Sequence, residues 1–534
     1  MRREHVVTPP EPGGSPPARS GWRRFTARAL ADETLSQKAT LNMVASILDY
    51  GARVVVGLIL NPILVSRLGD LVFGVYQVLG RFIGYATPAG GRPSQALKWT
   101  IARHQHSIAY DEKRLQVGSA LTVWLLFLPV LVVAGGVLAW FAPVILSVPD
   151  NLVLTVRVAA ALLVLDLVLV NLLTIPQSVV QGENLGYKRM GLSMLVVFLG
   201  GALAAAAAIT GAGLVGVVGS VVATTTLTGL LFLWVARRHV RWFGATRPSF
   251  RLVASFVRLS AWFLLWNFVM QLMRGSDVVV LGIADSAESV TTYALSRYVP
   301  EALFGAVAIV VSAVMPGLGG LLGARDHARA VTVRSESMTA TWLLTTAAGA
   351  TFVLWQESFL TLWVGREYYP GPTATLLIIL MTIQFAFIRN DASIIDLTLE
   401  LRGKVLLGLL SAGLAIALGF LFVGRLDLGI SGVAAAFIAG WSILSVAYPW
   451  FVLRTLEVPL LGQVRGAIRP LAFSVLVFAG AVALAPRLEA GSWLTLVLLI
   501  AVSFGLLALA SFVLGLTRRQ RERVSRRVRQ VVGR

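Results

Sequence analysis

Long apolar stretches recur along the whole chain and are separated by short polar segments. Most are about 18 or more residues long, the length that lets an α-helix cross the hydrocarbon core of a bilayer. The pattern predicts helices at 41–66, 72–92, 117–142, 153–179, 191–210, 214–236, 259–284, 293–318, 337–364, 372–397, 405–424, 430–453, 470–486 and 492–516. We therefore expect an all-α polytopic membrane protein with about 14 transmembrane helices.

Composition agrees with this class and excludes others. The chain is 57% hydrophobic and 13% charged, about half the charged fraction of a soluble domain. Its net charge of +20 is spread over loops and tails, with no nucleic-acid-binding motif to use it, so we expect no nucleic acid partner. The absence of cysteine excludes disulfides and thiolate metal sites.

The two halves of the chain repeat one another at an offset of about 215 residues. Matching positions are Pro62 with Asp277, Trp140 with Trp355, Gly213 with Gly429, and Arg238 with Arg454. Each pair lies at the same place in its own apolar stretch, as expected of two six-helix copies. Secondary transporters are built from such repeats, and they handle substrate at the interface between the copies.

Lysine and arginine are distributed unequally between the two sides of the predicted membrane. The loops opposite the N-terminus hold only Arg67, Arg366, Arg425 and Arg487, whereas most of the 46 basic residues lie on the other side. The positive-inside rule therefore places both termini in the cytoplasm. An even number of helices in each repeat makes the two copies parallel.

The expected organisation combines the repeat with the charged segments. We predict a disordered basic cytoplasmic tail at 1–38, a first lobe at 41–236, a basic linker at 237–258, a second lobe at 259–454, two further helices at 470–516 and a basic tail at 517–534. The last segment should lie on anionic membrane lipids, because each basic group near such a surface contributes about 1 kcal/mol.

Enzyme chemistry has little support in the sequence. The five histidines fall outside the predicted spans, so none offers a metal or acid–base site at membrane depth. No GxxxxGK[ST] phosphate loop is present. We expect no catalytic residues, no metal and no cofactor, with sodium or protons as the ions that would drive transport.

Charged residues inside the predicted spans are the main functional signal, because charges at membrane depth are costly and mark functional sites. The cations are Arg53, Arg81, Arg274, Arg297 and Arg389, and the candidate ion-coupling carboxylates are Asp49, Asp277, Glu301 and Asp391. The fourth span adds Asp166, Asn171 and Gln177. Salt bridges between helices are the alternative explanation for any one pair. The surplus of arginine favours a shared aqueous cavity for an anionic guest, because guanidinium groups bind phosphate well.

Three segments resemble the polysaccharide export proteins of the multidrug, oligosaccharidyl-lipid and polysaccharide superfamily. They are Asn61–Tyr76 (NPILVSRLGDLVFGVY), Ser276–Gly282 (SDVVVLG) with Tyr293 after it, and Leu362–Tyr368 (LWVGxxY). The resemblance runs from about residue 40 to about residue 455. It implies two six-helix lobes in a V shape and an ion-driven flippase for an undecaprenyl-pyrophosphate-linked oligosaccharide.

The last two predicted helices exceed the twelve that are common in this superfamily. They resemble the two extra helices of the lipid-linked peptidoglycan precursor flippase, which form a groove for the lipid tail. On these grounds we expect a lipid-linked oligosaccharide flippase of the bacterial inner membrane, with a glycan polymerase and a chain-length regulator as candidate partners. An ion-coupled multidrug exporter and a membrane enzyme of glycan assembly are the alternatives.

Overall fold

The described residues of the computed structural model are almost entirely α-helical. They are residues 35–91, 93–103, 109–189, 191–398, 401–457, 460–518, 520–522 and 525. The helices of the first half are α1 Leu35–Leu68, α2 Asp70–Gly84, α3 Pro93–Arg103, α4 Tyr110–Ile145, α5 Val153–Gly182, α6 Leu192–Ile209 and α7 Gly213–His239. Those of the second half are α8 Phe250–Ala284, α9 Ala287–Gly323, α10 His327–Trp363, α11 Pro372–Thr398, α12 Leu401–Gly419 and α13 Gly429–Thr455. Two more follow, α14 Leu460–Leu484 and α15 Trp493–Ala510.

The helices coincide with the apolar stretches, and the all-α polytopic membrane architecture is confirmed. Within the described residues, 11 helices are long and apolar enough to cross a bilayer. Among the others, α2 has 15 residues and is shorter than a typical span. The helices α8 and α9 have 35 and 37 residues but carry charged side chains along their length. The number fourteen stays a prediction.

The second predicted span, 72–92, is wrong as a continuous helix. The helix α2 ends at Gly84, a 3₁₀ turn follows at Thr87–Gly90, and a new helix starts at Pro93. Pro88 cannot continue the hydrogen-bond ladder of an α-helix, and Gly91 takes a left-handed φ of 70° that favours glycine.

Several helices extend beyond the predicted spans. The helices α4, α8 and α10 begin at residues 110, 250 and 327, before the predicted starts at 117, 259 and 337. Bases that the sequence assigned to loops, such as Lys113 and Arg334, therefore lie on helices. The predicted linker 237–258 is non-helical only at 240–249, where Trp242 is buried and donates from Nε1 to Glu183 (3.0 Å).

Corresponding helices pack together in the two halves. In the first half α1 contacts α6, and α7 contacts both α5 and α6. In the second half α8 contacts α12, and α13 contacts both α11 and α12. The two halves therefore use the same arrangement of helices, which is what a duplicated sequence favours.

The helices α14 and α15 pack against α10 of the second half. Trp342 donates from Nε1 to Ser474 (2.9 Å), and Trp355 does the same to Ser503 (3.0 Å). The tail predicted at 1–38 lies outside the described residues except for 35–38, which begin α1. Most of the tail predicted at 517–534 also lies outside them.

Candidate functional site between the two halves

The helix α2 of the first half lies directly against α8 and α9 of the second. Glycine allows this approach: a Cβ atom built on Gly275 would lie 3.4 Å from Cβ of Arg81. One turn further along the chain, just past the end of α2, Tyr85 and Ser276 share a hydrogen bond of 2.7 Å between their hydroxyl groups. Arg81 and Tyr85 thus face the opposite half.

Further hydrogen bonds join the halves at the end of the bundle where α1 turns into α2 and α8 turns into α9. Tyr368 donates to the carboxylate of Asp70, and Thr291 donates to the backbone oxygen of Asp70 (2.6 Å). Trp363 donates from Nε1 to the carbonyl of Leu58 (2.7 Å). Burial and the neighbouring Asp70 carboxylate raise the pKa of Tyr368, so the phenol remains a donor at neutral pH.

Asp277 is the most deeply buried carboxylate of this interface, with no exposed side-chain surface. It accepts hydrogen bonds from the hydroxyl of Tyr293 (2.7 Å), from the guanidinium of Arg297 and from the amide of Val278 (2.9 Å). Three donors and a full counter-charge offset the cost of burying this carboxylate. Asp277 therefore fixes the position of Arg297.

Glu301 connects the two halves electrostatically. Its Oε1 lies 3.1 Å from Nη2 of Arg297 on the same helix and 3.5 Å from Nη2 of Arg81 on α2. The side chains of Glu301 and Arg81 are 33% and 31% exposed. The bridge between Glu301 and Arg81 is therefore partly accessible to solvent, whereas the pair of Asp277 and Arg297 is buried.

A narrow cavity opens beside this bridge. Arg274, Arg297 and Glu301 line its polar side. Its other lining residues are Met273, Phe304, Met381, Thr382, Phe385 and Trp441. The guanidinium of Arg274 lies 5.9 Å from the ring centre of Phe304, within the range of a cation–π contact. Cations thus outnumber carboxylates here, and an anion could replace Glu301 as the partner of the arginines.

The other two predicted cations lie differently. Arg389 is half-buried on α11 and close enough to Arg274 for electrostatic repulsion. Its Nη1 is buried and finds no hydrogen-bond acceptor among the described residues. Arg53 is exposed on α1, between Tyr50 and Val54, which both contact α9. It is not among the residues that line the cavity.

Each of the four candidate coupling carboxylates is engaged by a cation. Asp277 and Glu301 bind Arg297 as described above. Asp49 is paired with Arg189 and accepts a hydrogen bond from Ser193, although Arg53 is its nearest cation in the sequence of α1. Asp391 accepts hydrogen bonds from Nε (2.9 Å) and Nη2 (3.1 Å) of Arg334.

Sequence reasoning missed several buried cations. Arg334 and Lys404 are 5% and 1% exposed, and Lys404 binds Asp396 while its Nζ lies 3.6 Å from the ring centre of Trp266. Both lie beyond the ends of the apolar spans, so the sequence predicts them in cytoplasmic loops. The available signal was helical continuity of α10 and α12 past those ends.

An apolar cavity of about 350 Å³ adjoins the charged one, and the two share Phe304 and Thr382 as lining residues. Side chains of α9, α10, α11 and α15 form its wall, including Trp355 and Phe504. Charged and apolar spaces are therefore adjacent, as an amphipathic guest would require.

Part of the chain matches a known protein family. A family model described as a polysaccharide biosynthesis protein matches residues 36–321. No curated protein sequence matches the chain significantly.

Similar solved structures include the lipid II flippase MurJ in an inward closed conformation, with a TM-score of 0.63 and 13% identity over 87% of this chain and 98% of that one. An inward-facing multidrug resistance MATE family transporter of the multidrug, oligosaccharidyl-lipid and polysaccharide (MOP) superfamily has a TM-score of 0.62. Its identity is 15% over 78% of this chain and 99% of that one. A MOP superfamily transporter from Pyrococcus furiosus, described as having a binding pocket of reverse polarity, has a TM-score of 0.52 and 14% identity over 79% of this chain and 97% of that one. At these identities the likeness shows only that the chain shares its fold with these transporters.

Proposed function

Since the chain belongs to the polysaccharide biosynthesis protein family, we propose that it flips an undecaprenyl-pyrophosphate-linked oligosaccharide across the bacterial cytoplasmic membrane. The substrate would move from the inner to the outer leaflet and supply the assembly of a surface polysaccharide. Both termini would be cytoplasmic, in keeping with the distribution of basic residues.

One observation carries the proposal: the cavity lined by Arg274, Arg297 and Glu301, beside the bridge from Glu301 to Arg81 of the first half, adjoins an apolar cavity beside α15. A polyprenyl-linked sugar has a doubly charged anionic group between a polar head and a long hydrocarbon chain. Arg81, Arg274 and Arg297 would bind the pyrophosphate, because guanidinium groups match phosphate geometry. The hydrocarbon chain would lie along the apolar wall, where its burial removes apolar surface from water.

The structure of this site argues against the alternatives. A multidrug exporter of cationic compounds needs acidic and aromatic groups in excess, whereas the acidic groups of this cavity are already paired with arginine. A membrane enzyme of glycan assembly needs catalytic groups placed around a reacting bond, whereas the carboxylates Asp277 and Glu301 are held by Arg297.

In the proposed orientation, the end closed by Asp70, Thr291 and Tyr368 faces away from the cytoplasm. The structure then corresponds to a state that is shut on the outer side, in which the charged cavity would take substrate from the inner leaflet. Opening at this end would require the interhelical hydrogen bonds there to break. A glycan polymerase and its chain-length regulator would receive the flipped product.

Deleting the gene should block export without altering the substrate. We expect intact lipid-linked oligosaccharide to accumulate on the cytoplasmic leaflet and the corresponding surface glycan to disappear. Mass spectrometry of extracted polyprenyl-linked glycans measures the first, and staining of surface glycan measures the second. A chemically incomplete glycan would point to an enzyme instead. Changed drug resistance with normal glycan would point to a drug exporter.

Replacing Arg81 with alanine should reduce flipping by about tenfold or more, because a hydrogen bond to a charged group contributes about 1.5–3 kcal/mol. Arg81 is partly exposed, and Glu301 would still be paired with Arg297 in the variant. We therefore expect the fold to be preserved. Flipping of a labelled lipid-linked oligosaccharide in proteoliposomes gives the rate, and thermal melting gives the stability. Arg67→Ala, which removes an exposed arginine elsewhere, is the control. Equal rates for the two variants would contradict the assignment of Arg81 to the substrate.

A further inference from the structure

One carboxylate in the middle of a membrane-spanning helix forms no ion pair with any cation of the described residues. Asp166 lies near the centre of α5, within the apolar span Asp150–Gly182. Its Oδ1 is buried and has no hydrogen-bond partner among the described residues. Thr225 on α7 lies close enough to the carboxylate to interact with it.

The elements around α5 bring no basic group to Asp166. The helices α2, α3, α4 and α7 pack against it. Residues 115–145 of α4 and 213–236 of α7 contain no charged or histidine side chain. The titratable group that faces Asp166 from α2 is Tyr76, whose ring is close enough to feel the carboxylate's charge.

The cations of the elements that contact α5 lie along those elements and away from Asp166. In the 3₁₀ segment Gly186–Arg189, Arg189 is paired with Asp49. Lys98 of α3 lies at the far end of α5, where its backbone contacts Gly182. Arg157, on α5 itself, is about 14 Å away along the helix axis and stacks on Trp140 at 4.2 Å. On α2, Arg81 is held by Glu301. The recorded polar neighbours of Asp166 are therefore Thr225 and Tyr76, and neither is a cation.

This isolation sets Asp166 apart from the carboxylates of the central site. Asp49, Asp277 and Asp391 each have an arginine partner, and Glu301 has two. An arginine partner favours the charged form of a carboxylate and opposes its protonation. A buried carboxylate without a counter-charge is stable mainly as the neutral acid and ionises when water reaches it.

We propose that Asp166 is the proton-binding site that couples transport to the proton gradient. The proposal rests on the proposed transport function and adds the identity of its driving ion. Water on one side of the membrane donates a proton to the carboxylate of Asp166, and the same O–H bond breaks when the site meets water on the other side. While water reaches the protonated carboxyl group from neither side, Thr225 and Tyr76 lie beside it.

A proton fits this site better than sodium. Sodium sites in secondary transporters use backbone carbonyl groups freed where a helix unwinds. The helix α5 runs without interruption from Val153 to Gly182, so the carbonyl groups around Asp166 are engaged in its own hydrogen bonds. One carboxylate and the hydroxyl groups of Thr225 and Tyr76 would leave a metal ion short of ligands.

The first test measures the proton directly and needs no transport. Infrared difference spectra of the purified full-length protein in lipid nanodiscs, recorded across a pH titration, should contain a carboxylic acid C=O band. This band should vanish in Asp166→Asn, shift in Asp166→Glu, and persist in Asp150→Asn, which removes an exposed carboxylate from the start of the same span. Absence of the band in the wild type, or its survival in a folded Asp166→Asn protein, would overturn the proposal.

The second test measures coupling in proteoliposomes with a fluorescent polyprenyl-pyrophosphate-linked oligosaccharide. A pH gradient should accelerate flipping by the wild type and by Asp166→Glu. The flipping rate of Asp166→Asn should be the same with and without the gradient. Acceleration by a sodium gradient alone, or an unchanged response in Asp166→Asn, would overturn the proton assignment. A titrating Asp166 band in a protein that flips no lipid-linked oligosaccharide would support the proton site and contradict the proposed substrate.

Discussion

A disulfide bond between the two halves is expected to stop transport completely. Val78 of α2 and Gly282 of α8 lie in contact, since a Cβ atom built on Gly282 would be 2.6 Å from Cγ2 of Val78. Cysteines at both positions would thus have Cβ atoms near the separation of about 3.5–4.5 Å that disulfides require. If the halves must part here to release substrate, the oxidised Val78→Cys/Gly282→Cys protein should flip lipid-linked oligosaccharide only at the background rate.

The chain suits this experiment because its sequence has no cysteine that could form other bonds. A matched control places the bond within the first half, at Gly135→Cys/Val164→Cys, where a Cβ atom on Gly135 would lie 3.4 Å from Cβ of Val164. The control should keep its activity when oxidised, and reductant should restore the locked protein. If the protein with a verified disulfide between positions 78 and 282 flips substrate at the wild-type rate, these helices do not separate during transport.

The sequence predicted the helices well because apolar length determines which segments can cross a membrane. It failed at 72–92, where the apolar pattern runs over a local break. The turn signals were present, since Pro88 and Gly91 lie inside the stretch and Pro93 follows it. Hydropathy averaged over a window of about 19 residues hides single proline and glycine residues. Each of them nevertheless restricts or changes the backbone conformation at its own position.

Partners of the buried charges were predictable only along a single helix. Arg297 and Glu301 are four residues apart and form the expected pair. Asp277 instead binds Arg297, and Asp391 binds Arg334 on a different helix. Periodicity gives the face on which a residue lies, but the identity of the helix opposite depends on packing of the whole bundle. Asp166 became distinctive only once the structure had assigned partners to the other carboxylates.

The segments that carry the family resemblance coincide with contacts between helices of the interface. Asp277 accepts a hydrogen bond from Tyr293, and Tyr368 donates to Asp70. These motif residues therefore shape the interface where the two halves meet. The arginines that would bind substrate lie beside them, and Arg81 and Arg297 fall outside the three matched segments. Such motifs consequently indicate the fold better than the substrate.

Replacing Asp277 with alanine should destabilise the protein by about 3–5 kcal/mol, because it leaves Arg297 buried without its main counter-charge. Thermal or denaturant unfolding in detergent measures the loss. The exposed pair Arg366 and Glu357 provides the control, and Glu357→Ala should cost at most about 1 kcal/mol.

A second variant separates the charge from the cavity that the alanine leaves. Asp277→Ala/Arg297→Met removes both charges, so it should recover much of the lost stability, since an apolar replacement of a buried ion pair is often close to neutral. It should still fail to flip substrate, because Arg297 lines the charged cavity. A single variant as stable as the wild type would mean that Glu301 alone compensates Arg297. The pair between Asp277 and Arg297 would then be dispensable for folding.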